Sequence, residues 1–170
     1  MPEQTDLAEL VKSLAERVHT LEDVRELTRL RAELPRRVND GRWERVGELF
    51  SPDARLDYQH LGQATGRPAI QEYFASLPGL IQQDHPESAL LVKQFTHGHE
   101  VEVAGDRATG VSFFEERVVF DHESAMVAGK FTDTYVRENG RWLFERVELD
   151  LYWVLPHHEG LVRTAPAEKV

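Results

Sequence analysis

Residues 125–152, AMVAGKFTDTYVRENGRWLFERVELDLY, contain the pattern that decides the fold. Apolar and polar residues alternate on both sides of Glu138-Asn139-Gly140, and Asn-Gly is the strongest short hairpin signal. The stretch therefore predicts two antiparallel strands, Ala125–Glu138 and Arg141–Tyr152. Two earlier strands, at roughly Leu91–Val103 and Arg107–Phe120, are joined by a second turn at Ala104-Gly105-Asp106. Together the four strands form an antiparallel meander.

The N-terminal part of the chain predicts helices. Leu7, Leu14 and Leu21 recur every seven residues and define the apolar side of an amphipathic helix, which also carries Leu10, Val11, Val18 and Val24. This stripe must be buried, either against another subunit, which we favour, or by folding back on the domain. A second helical stretch should kink or end at Pro35, because proline lacks the N–H that continues a helix.

Four shorter elements are expected between the first helices and the meander. The first is a turn at Asn39-Asp40-Gly41, in which Asp40 caps the helix that follows, and this helix has Trp43, Val46 and Phe50 on its apolar face. A half-buried strand follows from Ala54 to His60. The last element is a helix from Pro68 to Leu77, which ends at Pro78-Gly79. Helices followed by an antiparallel meander predict the α+β class. We divide the chain into an N-terminal amphipathic helix (1–21), an α+β domain (22–155) and a tail (156–170).

The amino-acid composition limits the classes of function that the protein can have. The chain has 170 residues, 41% of them hydrophobic and 29% charged, which is enough for one domain with a real core. A net charge of -10 without a basic run opposes binding to nucleic acid or anionic membranes. The polar opening MPEQTDLAEL and the lack of a membrane-length apolar run lead us to expect a cytoplasmic protein. Because there is no cysteine, acid–base chemistry must come from histidine, carboxylates, tyrosine and lysine.

Four segments, taken in order, resemble the SnoaL-like branch of the nuclear-transport-factor-two-like superfamily over about residues 18–153. They are LEDVRELTRLRAELPRRVNDGRWERVGELFSPDARLDY, GRPAIQEYF, VEVAGDRATG and KFTDTYVRENGRWLF. The resemblance implies a cone-shaped, strongly curved antiparallel sheet, closed by N-terminal helices around a single apolar pocket. It also implies a homodimer or homotrimer and cofactor-free acid–base chemistry, as in polyketide cyclases and scytalone dehydratase-like enzymes.

The resemblance also implies a catalytic pair that this chain lacks in identity. Dehydratase and dehydrochlorinase relatives use a histidine base on the strand equivalent to Leu91–Val103, held by an aspartate four positions before the tryptophan that matches Trp43. Asn39 stands at the aspartate position, and Lys93 or Gln94 stands at the histidine position. Asp40 is adjacent to Asn39 and is retained as a catalytic candidate beside its role as a helix cap.

Strand parity points to substitutes for the missing pair. In His99-Glu100-Val101-Glu102-Val103 the apolar members are Val101 and Val103, so the odd-numbered side faces the core. Without a bulge His97 and His99 then point inward together with Lys93 and Phe95. An imidazole among apolar residues can exchange a proton near neutral pH. A metal held by the His-x-His pair is the less favoured alternative, because no third ligand is evident apart from His157-His158 in the tail.

Tyr58 is the strongest single candidate. The resemblance places it where a dehydratase tyrosine polarises a substrate carbonyl, and His60 shares its face of the strand. The pattern does not decide whether Glu115 or Glu116 points inward, and Asp133 and Tyr135 are interpreted as scaffold. Substrate contacts are expected from Asn39, His60, Lys93, Phe95, Val147, Leu149 and Trp153.

Two classes of function remain open. The favoured hypothesis is a cofactor-independent cyclase, dehydratase or isomerase acting on a hydrophobic oxygenated small molecule, such as a polyketide-like intermediate. The alternative is a non-catalytic binding or accessory protein of the same fold. In that case Asn39, at the position of the expected aspartate, would mark the loss of the catalytic pair. In a third hypothesis the N-terminal helix is an oligomerisation arm of a scaffold.

Overall fold

The computed structural model describes residues 2–83, 91–120 and 123–157, and it confirms an α+β fold in which helices precede a curved sheet. In chain order the elements are helix α1 (Pro2–Asn39), a 3₁₀ helix (Trp43–Leu49), β1 (Phe50–Asp57), a 3₁₀ turn (Gln59–Leu61), β2 (Gln63–Thr65), α2 (Arg67–Gln83), β3 (Leu91–Ala104), β4 (Arg107–Phe120), β5 (Glu123–Glu138) and β6 (Arg141–His157). The tail from His158 onward lies outside the described residues. Of the described helices, none is long and apolar enough to cross a bilayer.

Both helices continue through prolines that the sequence predicted as breaks. Pro35 lies inside α1, which runs on to Asn39, and Pro78 lies inside α2, which runs on to Gln83. Each proline removes one backbone hydrogen bond. In α1 that loss is outweighed by packing, because Leu27, Leu34 and Val38 are fully buried on both sides of Pro35.

The sheet has the strand order β2-β1-β6-β5-β4-β3, and its strands β3 to β6 form the expected antiparallel meander. The prediction of a purely antiparallel sheet is wrong at one pair, since β1 lies parallel to β6. The chain leaves β1, crosses through α2 and enters the meander at its far edge. Four alternating strands then bring β6 back beside β1 in the same direction.

One face of the sheet is covered by the helices and holds the core. Alternate residues of every long strand point to this concave face, among them Leu56, Phe114, Phe131, Tyr135, Phe144 and Val147. Their rings are in contact: the centroids of Phe114 and Phe131 are 4.9 Å apart, and those of Phe50 and Phe144 are 5.2 Å apart. The polar side chains that also point to this face are therefore held in apolar surroundings.

Three bulges in the meander change which residues face inward. At one of them, in β6, Thr134 pairs with Arg146 but Tyr135 pairs with Phe144, so Glu145 is the additional residue. In β3 the register shifts between His97 and Glu100, where Gly98 has a φ of +53°. In β6 Gly129 pairs with Leu151 but Ala128 pairs with Trp153, so Tyr152 is the additional residue. Because one extra residue reverses the alternation of a strand, a prediction that extends a single parity through a bulge fails on one side of it.

Candidate functional site

A chain of hydrogen bonds crosses the concave face from α1 to β5. The Nδ1 of His99 lies 3.3 Å from the Thr28 hydroxyl, and its Nε2 lies 2.9 Å from the Tyr135 hydroxyl. Tyr135 in turn donates to Asp133 at 2.8 Å, and Asp133 accepts from Arg31 Nη1 at 3.3 Å. The arrangement requires Gly110 on β4, because a Cβ there would lie 2.7 Å from His99 Nε2.

The direction of these bonds sets the charge state of His99. The Tyr135 proton is used toward Asp133, so the Tyr135 oxygen accepts from His99 Nε2–H and Nδ1 accepts from Thr28. Burial, helped by the positive charge of Arg31, lowers the pKa of His99 to about 4. Burial raises the pKa of Asp133, although Arg31 and Tyr135 offset part of that rise. His99 is therefore neutral at pH 7, with both ring nitrogens engaged.

Arg31 is a buried cation with free donors. Its side chain is 1% exposed, and its guanidinium carbon lies 3.8 Å from the centre of the Phe131 ring. One nitrogen binds Asp133, whereas Nε and Nη2 have no hydrogen-bond partner among the described residues. Unsatisfied donors on a buried charge are costly in a folded protein, so these two nitrogens are candidates to bind a ligand.

The Tyr58 hydroxyl is a second free donor on the same face. Tyr58 is buried at the end of β1, with its ring 5.9 Å from Phe131 and in edge contact with Tyr73 and Phe74. Its hydroxyl has no partner in the described part of the chain. Burial raises the pKa of Tyr58. The positive charge of Arg31 offsets part of that rise, and the negative charge of Glu116 adds to it. The phenol thus stays protonated and can donate.

Glu116 is the inward-facing carboxyl of β4. It pairs across the sheet with Gln94, whose Nε2 donates to Glu116 Oε2 at 2.7 Å. Burial raises the pKa of Glu116, and the bond from Gln94 offsets part of the rise. A carboxylate whose pKa is raised by burial is a stronger base than a solvated one, and once protonated it can return the proton.

The two positions of the expected catalytic pair are in contact, but their side chains are the amides of Asn39 and Gln94. The Asn39 side chain donates to the Gln94 carbonyl at 2.8 Å and accepts from the Gln94 N–H at 2.6 Å. Of the two residues left open for the histidine position, Gln94 faces the interior. Lys93 binds the Asn39 carbonyl at the rim of the sheet, beside a cleft of about 200 Å³ that Trp43 also lines.

Several predicted site residues lie away from this face. His97 lies on the outer face, 57% exposed and 3.7 Å from Glu115, because the Gly98 bulge separates it from His99. Phe95 is 47% exposed for the same reason. The inward prediction for both is wrong, and the His-x-His pair cannot hold one metal ion between two side chains on one face.

Three more predicted positions are solvent-facing. His60 is exposed in the 3₁₀ turn, since β1 ends at Asp57 rather than continuing to it. Asp40 is exposed and lies 4.0 Å from Arg42, and the next helix has Arg42, without a side-chain bond, at its N-cap. Trp153 is half exposed beyond the β6 bulge. By contrast, Val147 and Leu149 are buried on the concave face.

Sequence reasoning missed Arg31, although a signal for it exists. Arg31 occupies the stripe of α1 that Leu27, Leu34 and Val38 define, and a charge inside such a stripe indicates a buried, partnered group. Glu116 was left undecided because Phe113 and Phe114 are adjacent aromatics, and the structure buries Phe114 while Phe113 stays 51% exposed.

The comparisons with known proteins agree with this architecture. The SnoaL-like domain family matches residues 19–148. The chain belongs to this family. An uncharacterised protein of Mycobacterium tuberculosis strain H37Rv is 27% identical to this SnoaL-like domain over 136 residues, which cover 77% of this chain and 87% of that protein.

Two solved structures share the fold at low identity. Hexachlorocyclohexane dehydrochlorinase LinA-type3 from Novosphingobium barchaimii has a TM-score of 0.73 at 16% identity, over 88% of this chain and 99% of that one. A Novosphingobium aromaticivorans protein provisionally named a scytalone dehydratase has a TM-score of 0.68 at 18% identity, over 89% and 97%. At these identities the likeness shows the fold of the SnoaL-like domain, while its chemistry has to be argued from its own residues.

Proposed function

We propose that this SnoaL-like domain is a cofactor-independent acid–base enzyme acting on a hydrophobic, oxygen-bearing small molecule such as a polyketide-like intermediate. The observation that carries the proposal is the concave face itself. It combines a carboxyl of raised pKa, Glu116, with two unpartnered donors, Tyr58 and Arg31, on aromatic walls. The names of the two structural neighbours, a dehydrochlorinase and a dehydratase, support an elimination-type reaction.

The roles follow from the charges. Glu116 removes a proton next to a substrate carbonyl, and Gln94 holds its carboxylate in position. The carbonyl oxygen gains negative charge as the proton leaves. Tyr58 and Arg31 donate hydrogen bonds to that oxygen, which they can do because the Tyr58 hydroxyl and the Nε and Nη2 of Arg31 have no acceptor among the described residues. The protonated Glu116 then returns the proton, to carbon in an isomerisation or to a leaving hydroxyl in a dehydration.

His99 contributes by positioning rather than by proton transfer in this proposal. Its ring nitrogens are both engaged, and its pKa of about 4 makes it a weak base. Through Tyr135 it fixes Asp133, which in turn holds Arg31 over Phe131. The earlier prediction of His99 as the general base is therefore replaced by Glu116, and Tyr58 is retained.

Exchange of the C2 protons of 1-tetralone for deuterium tests the step that these reactions share. This apolar aromatic ketone needs only proton removal and an enolate stabiliser, and NMR in D2O follows the exchange. We expect the protein to accelerate exchange, Glu116→Gln to reduce the rate by about 10²–10⁴-fold and Tyr58→Phe by about 10²–10³-fold. Glu115→Gln is the matched control, because Glu115 is the neighbouring carboxyl on the outer face. A Glu116→Gln rate equal to that of the unchanged protein would refute the assignment.

One observation favours the alternative of a binding protein without catalysis. Asn39 and Gln94 lock α1 to β3 through two hydrogen bonds at the positions where relatives are expected to hold their catalytic pair. In that case 1-tetralone would bind, as seen in NMR line broadening, with Arg31 and Tyr58 as its hydrogen-bond donors. Its C2 protons would then exchange no faster than in buffer.

A further inference from the structure

The first half of α1 carries an apolar stripe that its own domain does not cover. Residues 7–22 are all solvent-exposed, and on one side the exposed fractions are 62% for Leu7, 58% for Val11, 46% for Leu14, 54% for Val18 and 68% for Leu21. This segment extends for about 24 Å at 1.5 Å per residue. We name these five residues the α1 seam.

We propose that the α1 seam pairs with the seam of a second copy of this chain in a short parallel two-stranded coiled coil. The seam alternates in steps of four and three residues, which is the spacing of heptad a and d positions. Val11 and Val18 occupy a, whereas Leu7, Leu14 and Leu21 occupy d. A β-branched residue at a with leucine at d is the combination that favours two parallel strands.

The seam faces away from the domain, so a second helix can approach it. At about 100° per residue, the seam lies about 150° around the helix from the core-facing residues Leu27, Arg31, Leu34 and Val38. Asp23, which follows the seam, points into the domain and binds Trp142 at 3.1 Å. Two parallel copies would therefore carry their domains on opposite outer sides of the coiled coil, without collision.

The charges beside the seam specify the parallel orientation. Arg17 occupies heptad position g and Glu22 the following e position, which face each other across a parallel dimer. Each dimer would hold two such Arg17–Glu22 pairs by symmetry. In an antiparallel arrangement position g meets g, so Arg17 would face Leu10 or Arg17 of the other copy, depending on the register, and the Arg17–Glu22 pairs would be lost. Within one helix the two residues are five apart and do not interact.

Solution mass tests the pairing directly. Light scattering on the full chain should give about twice the chain mass of 19.5 kDa, decreasing toward the single-chain mass on dilution. Leu14→Glu should give a single-chain mass at every concentration, because it places two carboxylates in the seam. Ser13→Glu adds the same charge one position outside the seam and should keep the double mass. Since both side chains are exposed, circular dichroism should show an intact domain for both.

Charge reversal tests the register. Arg17→Glu and Glu22→Arg should each weaken the dimer about tenfold at low salt by creating like-charge pairs, and the double reversal should restore it. The chain lacks cysteine, so an introduced Leu21→Cys can only bond to its symmetry partner. It should form a disulfide dimer on oxidation, while Glu9→Cys, on the opposite side of the helix, should not.

Four results would overturn the proposal. They are a single-chain or threefold mass of the unchanged protein, a double mass of Leu14→Glu, a double reversal that fails to restore the dimer, and equal cross-linking of Leu21→Cys and Glu9→Cys. A single-chain mass would mean that something other than a second copy covers the seam. Activity on 1-tetralone does not depend on these variants, so failure here and failure of the proposed function are distinguishable.

Discussion

At the residue scale, two buried tyrosines differ in the hydrogen-bond partners of their hydroxyls. These partners, rather than burial, distinguish a residue available to a substrate from one that supports the fold. Tyr58 is 6% exposed and Tyr135 is 0% exposed, and both rings pack against aromatic neighbours. The Tyr135 hydroxyl bonds to His99 and Asp133, whereas the Tyr58 hydroxyl has no partner among the described residues. The first belongs to the scaffold, and the second is available to a substrate.

This difference predicts opposite effects of the same substitution on stability. Tyr58→Phe removes an unsatisfied buried hydroxyl, so the free energy of unfolding should stay unchanged or rise by about 1 kcal/mol. Tyr135→Phe removes one hydrogen-bond partner each from His99 and Asp133 and should lower it by about 1–3 kcal/mol. Urea denaturation of both variants measures the two values. If Tyr58→Phe costs as much as Tyr135→Phe, the Tyr58 hydroxyl has a protein partner and is not free for catalysis.

Strand alternation and the family resemblance together predicted Tyr58 but not Glu116 or Arg31, and the reason is physical. Tyr58 follows the clear alternation of Ala54 and Leu56. Glu116 follows Phe113-Phe114, where two adjacent aromatics carry no information about parity. The use of Arg31 depends on Asp133, which lies 102 positions later in the chain, and no local pattern encodes such a contact.

At the scale of elements, periodicity predicted where strands lie but not where they change parity. The four meander strands were predicted to within a few residues of their observed bounds. Gly98 and Tyr152 then insert one residue each, and the insertion reverses the side on which His97 and Trp153 lie. A bulge depends on pairing with the neighbouring strand, so alternation within a single strand does not reveal it.

His99 of β3 and Tyr135 of β5, the two strands that flank β4, are in contact above Gly110. A single methyl group added at Gly110 should therefore destabilise the protein. In Gly110→Ala the new Cβ would lie 2.7 Å from His99 Nε2 and 3.0 Å from the Tyr135 ring. We expect a loss of about 1–3 kcal/mol in the free energy of unfolding, as for other overpacked sites. NMR of the His99 ring should show that its bond to Tyr135 is broken.

The control is the same change in α2. A Cβ on Gly79 meets no atom within 4 Å, and Gly79→Ala should stabilise the protein by about 0.5–1 kcal/mol, because alanine loses less backbone entropy in a helix. A Gly110→Ala protein as stable as Gly79→Ala would show that β3 and β5 do not approach each other over Gly110.

At the scale of the whole molecule, buried charges connect the helical layer to the sheet. Arg31 of α1 binds Asp133 of β5, and Asp23 of α1 accepts from both Arg137 and Trp142. Each acidic side chain in these contacts is at least nine-tenths buried. The surface pairs, such as Arg107 with Glu145, join strands that the sheet already holds together.

Removal of one charge should therefore be far more costly between the layers than on the surface. Asp133→Asn leaves the Arg31 cation buried without a counter-charge and should lower the free energy of unfolding by about 3–5 kcal/mol. Glu145→Gln breaks a shorter pair, 2.7 Å against 3.3 Å, but one that water solvates, and should cost less than about 1 kcal/mol. Urea denaturation at pH 7 compares the two variants. Equal costs would mean that water reaches Arg31 in solution and that apolar packing alone joins α1 to the sheet. The concave face would then lack the dry cation on which the proposed stabilisation of an enolate depends.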